Sequence, residues 1–220
     1  MKKIANVLLP LLILTLVVST GALAQLPCID YLGYAWESPG TPTKAAGDNL
    51  TMTGVADYAD AVFGVDLGAV ELTFYMYDLV STGESDIGGG NTMISYAGGV
   101  LEIYEDVAKN ADYGINPPNA TAPPTFVDGD LFFRGSFNDF TLFMTAAGGG
   151  SYEGTLNGLA GSLIDGPCSG CAYTWGGAFT TEAGALVPEG YLYQMDGVFE
   201  IEAAVASEDK SWDGVKSLYR

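Results

Sequence analysis

Four stretches of the chain alternate apolar and polar residues with a period of two. Across residues 70–79, Val70, Leu72, Phe74 and Met76 fall on one face, and Glu71, Thr73, Tyr75 and Tyr77 on the other. Leu101 and Ile103 share a side in residues 100–104, as do Phe140, Leu142 and Met144 in residues 137–145. In residues 198–205, Phe199, Ile201, Ala203 and Val205 stand opposite Glu200 and Glu202. This spacing predicts half-buried strands. Weaker strand patterns cover residues 50–58, 92–96, 131–134, 151–156, 171–180 and 191–195. Turn residues separate them, among them Gly88-Gly89-Gly90-Asn91, Asp128-Gly129, Gly148-Gly149-Gly150, Asp165-Gly166-Pro167 and Asp196-Gly197.

Many short strands punctuated in this way predict an all-β fold. The form is an antiparallel β-sandwich of jelly-roll type or a barrel, built as a single domain. Helical patterns are short, confined to residues 105–111 and the C-terminal end. The likeness between residues 99–103 and 197–201 marks either a duplicated half or, the preferred reading, a chance match between two alternating strands.

The first residues change the picture of where this domain resides. Lys2 and Lys3 precede an apolar run over residues 7–18, and Ala22-Leu23-Ala24 closes it before Gln25. That order is the pattern of a secretory signal peptide cleaved after Ala24. Pro27 before Cys28 does not fit a lipoprotein acylation site. The expected organisation is a leader over residues 1–24, an all-β domain over 25–206 and a tail over 207–220. The expected location is secreted or cell-surface, with no transmembrane span after cleavage.

Charge and missing residue types narrow the chemistry. The chain has 27 acidic residues and 8 basic ones, and removing Lys2 and Lys3 with the leader leaves 27 against 6, a net charge of −21. Such a surface repels nucleic acid and anionic lipid. Histidine is absent, which removes the usual general base and every Ser-His-Asp or Cys-His arrangement. No residue is singled out as catalytic, and the expected role is a non-enzymatic structural or binding one. The competing reading is a secreted polysaccharide hydrolase working through paired carboxylates.

Three kinds of residue are candidates for a site. Cys168 and Cys171 form a C-x-x-C, read as a structural disulfide in an oxidising compartment, with Cys28 as an alternative partner to either. Asp106, Asn110, Asp112, Asp128 and Asp130 lie in two oxygen-rich turns that flank one long connection, a composition that suits calcium. Tyr75 and Tyr77 on a polar strand face, and Tyr173, Trp175, Tyr191 and Tyr193 further on, either contact an extracellular protein or glycan or cover the fold's own surfaces.

The ending Ser211-Trp212-x-x-Val215-Lys216-x-Leu218-Tyr219-Arg220 is basic and aromatic in an otherwise acidic chain. It resembles a short tail carried by exported bacterial proteins with β-rich bodies, although Asp213 stands where that ending has glycine. The resemblance implies secretion or surface attachment, with Trp212, Val215, Lys216, Tyr219 and Arg220 as a sorting or docking segment, and brings no catalytic residue. The alternative is a tail that packs Trp212 against the acidic domain.

Overall fold

The computed structural model describes residues 26–38, 45–114, 122–166, 168, 170–181 and 187–202. The expected leader over residues 1–24 and the tail residues Trp212, Val215, Lys216, Tyr219 and Arg220 lie outside these. Eight antiparallel strands follow one another in chain order: β1 (Cys28–Ser38), β2 (Asn49–Ala59), β3 (Glu71–Gly88), β4 (Asn91–Asp106), β5 (Asp130–Met144), β6 (Gly150–Ala160), β7 (Ala172–Thr180) and β8 (Tyr193–Glu202). Each pairs with the next, and β8 returns to β1, where Cys28 faces Glu200 and Ala35 faces Tyr193. The fold is therefore a closed barrel, which leaves no unpaired sheet edge.

The strands are fewer and longer than the periodicity suggests. Residues 92–96 and 100–104 are one strand, β4, and a two-residue irregularity at Gly98 and Gly99, both at positive φ, shifts the alternation between them. Asp196-Gly197 is the middle of β8, not a turn. The expected helix at 105–111 is absent: β4 runs to Asp106, whose Oδ1 accepts the Ala108 N–H, and Lys109 sits at φ 51°, outside any right-handed helix. The one α-helix of the described residues, α1 (Ser162–Asp165), is a single turn.

The apolar faces point inward and meet. Leu72, Phe74 and Met76 of β3 join Leu101 and Ile103 of β4, Phe140 and Leu142 of β5, and Trp175 of β7 in one buried cluster. At its centre the Tyr31 ring stacks on Trp175 with centroids 3.9 Å apart, and Phe74 leans on both at 5.1 and 5.4 Å. Each such fully buried ring contributes about 2–3 kcal/mol of transfer free energy. The Tyr31 and Tyr152 hydroxyls bond to each other in this interior. Space for that pair comes from Gly177 and Gly197, which face each other across β7 and β8. A Cβ at Gly197 would stand 2.3 Å from the Gly176 carbonyl oxygen and 2.4 Å from the Tyr152 hydroxyl. So the glycine that imitates a turn in the sequence makes room for a tyrosine in the structure.

A strap from the β4–β5 connection covers part of the outer wall. Tyr113 packs edge-on against Tyr34 of β1 and donates its hydroxyl to the Leu32 carbonyl, while Tyr191 packs on Trp36. Thr73 of β3 donates to the Phe126 carbonyl beneath the strap. In consequence β1 is buried on both faces over most of its length.

Candidate functional site

The centre of the interior is filled by the stacked Tyr31 and Trp175 rings with Phe74, and among the described residues the open depressions lie on the outer wall. Two regions of that wall are built from more than scattered surface residues.

The first centres on Glu102 of β4. The ladders place Tyr75 of β3 directly on one side of it and Arg134 of β5 on the other. The Tyr77 and Tyr104 hydroxyls both donate to the Glu102 carboxylate, at 3.3 and 2.8 Å, and the Arg134 guanidinium pairs with it. Glu102 is only 3% exposed although it stands on the outside of the barrel. Desolvation first, and then the neighbouring carboxylate, pushes the Tyr77 and Tyr104 phenols above their ordinary range, and the hydrogen bond to Glu102 holds Arg134 firmly charged. Tyr75 stacks on Tyr77 with centroids 4.6 Å apart, so the two rings form a ridge and each covers one face of the other.

The second region spans β5 to β8. Its outward residues form two rows set by the registers: Thr141, Glu153, Gly176 and Val198 in one, Asp139, Thr155, Thr174 and Glu200 in the next. A depression of about 630 Å³ lies over them. Two others adjoin it: one of about 390 Å³ shares Thr155 and Thr174 and extends to Asn138 and Asn157, and one of about 340 Å³ shares Thr141 and Glu153 and extends to Met93 and Phe143. Together they form a groove along the wall. Its polar groups are tied in advance: Asn157 donates to Asn138, Asn138 to Thr155, and Thr155 to Asp139 through both N–H and hydroxyl, at 2.9 and 3.1 Å. Thr174 donates to Glu200 at 3.3 Å. At one end Phe143 and Met93, paired across β4 and β5, stay 36% and 38% exposed.

The residues singled out in the sequence divide between structural and surface positions. Cys168 and Cys171 form a disulfide, and Cys28, which lies outside that bond, is buried, with its thiol pKa pushed up by burial and then by Asp60. Tyr173, Trp175 and Tyr193 point into the core, and Tyr191 belongs to the strap cluster, which leaves Tyr75 and Tyr77 on the outer surface. Of the calcium candidates, Asn110 donates to Asp128 at 3.1 Å, which joins the two turns. Asp106 and Asp112 each use Oδ1 to accept a backbone N–H two residues on, the turn role common for aspartate. Asp130 opens β5 opposite Glu105. Among the described residues no three acidic or cysteine side chains gather as a metal site.

The groove and the Glu102 network carry no signal in the linear sequence. Both depend on which strands lie side by side and in what register, and the residues of the groove come from positions 93 to 200. No protein-family model, no curated protein and no solved structure matches the chain.

Proposed function

We propose that this is an exported, non-enzymatic binding protein that meets its partner on the outer wall of the barrel. The observation that carries the reading is the contrast between inside and outside. The interior is occupied by stacked rings, whereas the wall of β5–β8 holds a groove with its donors and acceptors already fixed. The Cys168–Cys171 disulfide suits an oxidising compartment. Exposed Asp57, Glu153 and Asp196 on the outer wall suit water rather than lipid. Calcium held between the turns that Asn110 and Asp128 join would stiffen the strap, and calcium titration followed by thermal melting reads that effect directly. The tail from Trp212 to Arg220 serves as the address or anchor.

Two measurements test the reading. Purified mature protein should be retained by cell-envelope or extracellular material of the producing cell, and failure of retention under all ionic conditions would remove the binding role. Fractionation of a tagged chain with and without residues 211–220 should move the protein from the cell surface to the medium. An unchanged distribution would end the role given to the tail.

A further inference from the structure

Gly176 is a glycine with less structural reason than its neighbour Gly177. It lies in mid-strand, where glycine weakens a sheet by about 0.5–1 kcal/mol and commonly marks a bulge or a close approach by a ligand. No bulge is present, since β7 pairs with β6 and β8 without a register shift. Its φ is not in the left-handed region. Packing bears on it more lightly than on its neighbour: a Cβ there would stand 3.2 Å from the Tyr152 carbonyl oxygen, a contact that asks the adjoining strand to give by a few tenths of an ångström, whereas at Gly177 the Asp196 carbonyl oxygen would be 2.2 Å away. What the missing side chain does is leave a bare floor between Glu153 and Val198 in the middle of the groove.

We infer that the groove binds a neutral polysaccharide chain laid along the wall with Gly176 beneath it, which names the ligand class for the outer-wall binding role and rests on that reading. The groove is open and elongated. From Asn157 to Ser151 along β6 it runs about 20 Å at the rise of an extended strand. Sugar hydroxyls both donate and accept, and the groove offers both functions alternately: the Asn157 and Asn138 amides, the threonine hydroxyls, and the Asp139 and Glu200 carboxylates. These are held by one another before any ligand arrives, so little ordering cost remains. The exposed Glu153 side chain stands beside the bare floor as an acceptor for adjacent hydroxyls. The exposed Phe143 ring at the end supplies the apolar contact that a pyranose face takes. An anionic chain meets three carboxylates and no lysine or arginine here. A metal ion meets two carboxylates already engaged by threonine and no convergent third.

The test uses the mature protein with its disulfide intact. Neutral hexaoses of glucose, xylose and N-acetylglucosamine, together with insoluble cellulose, xylan, chitin and β-1,3-glucan, are assayed by calorimetry and pull-down, with hexagalacturonate and hexalysine as charged controls. At least one neutral glycan should bind, with little dependence on salt. Gly176→Val, which fills the floor, should weaken binding at least about tenfold in protein whose cooperative melting shows that it is folded. Thr174→Val, which frees Glu200, is a second variant should position 176 prove sensitive to folding. Absence of binding to every neutral glycan, binding of hexalysine instead, or full binding by a folded Gly176→Val protein would each overturn the inference. Retention on envelope material that survives in Gly176→Val would overturn this site and leave the binding role standing.

Discussion

Gly177 and Gly197 show how tightly single positions are set in this barrel. Added methyl groups there would stand 2.2 and 2.3 Å from backbone oxygens and against the Tyr152 hydroxyl. Gly177→Ala should therefore destabilise by about 3 kcal/mol, the upper end for overpacking, while Gly176→Ala one residue earlier should change stability by less than about 1 kcal/mol. Urea melts of the two variants make the comparison. The opposite sign is expected at Tyr193, whose hydroxyl is buried with no hydrogen-bond partner among the described residues. Tyr193→Phe removes an unsatisfied group and should raise stability by about 1 kcal/mol. Asp30 carries the pH dependence of this scale. Burial first, then Asp57, Asp196 and Asp60, raise its pKa above the ordinary 3.8. Its folded form thus holds a proton that the unfolded form has released, so its contribution is present below pH 3.8 and is lost as pH rises through the raised value. Asp30→Asn should melt higher than the parent at pH 7, with the advantage shrinking as pH falls toward 4; equal melting at both values would contradict the assignment.

At the scale of elements, the outer wall of β3–β5 is held by one carboxylate. Glu102 accepts from Tyr77, Tyr104 and Arg134, and its burial means that removing the cation leaves a charge poorly compensated. Since the Arg134 side chain is 44% exposed, water replaces part of what is lost. Arg134→Met should cost about 1–2 kcal/mol, and the double variant with Glu102→Gln should recover much of it, a result read by a double-mutant cycle. The disulfide between α1 and β7 closes so small a loop that Cys171→Ser should cost only about 2 kcal/mol. Which elements the sequence discloses depends on what covers each face. Alternation in β3 is plain because Leu72, Phe74 and Met76 face the core while Tyr75 and Tyr77 face outward. In β1 the strap buries Tyr34 and Trp36 on the outside as well, so no period of two survives and the strand passes unnoticed. Gly98-Gly99 and Gly197 break β4 and β8 in the sequence because glycine serves turns, bulges and close packing alike. The calcium candidates are legible as turns, and the grouping of Asn110 with Asp128 across 18 residues is legible from the oxygen-rich residues on both sides of one connection. The groove was illegible for a stronger reason: its rows are read across four strands, not along one.

At the scale of the molecule, the acidic balance acts on everything together. With 27 acidic and 8 basic residues in the full chain, the folded surface repels itself at neutral pH. Raising sodium chloride from about 10 mM to 500 mM, which shortens the screening length from about 30 Å to under 5 Å, should raise the melting temperature; a fall would mean that favourable ion pairs outweigh the repulsion. Closure of the sheet has one more consequence. Because β1 lies beside β8, with Cys28 opposite Glu200, the start and the finish of the folded body are next-door neighbours. A short linker could splice them, and new ends could be opened at the β3–β4 hairpin between Gly89 and Gly90 without cutting a ladder. Such a rewired chain should fold to the same cylinder, which would make strand order, rather than the point of synthesis, the thing that defines this architecture.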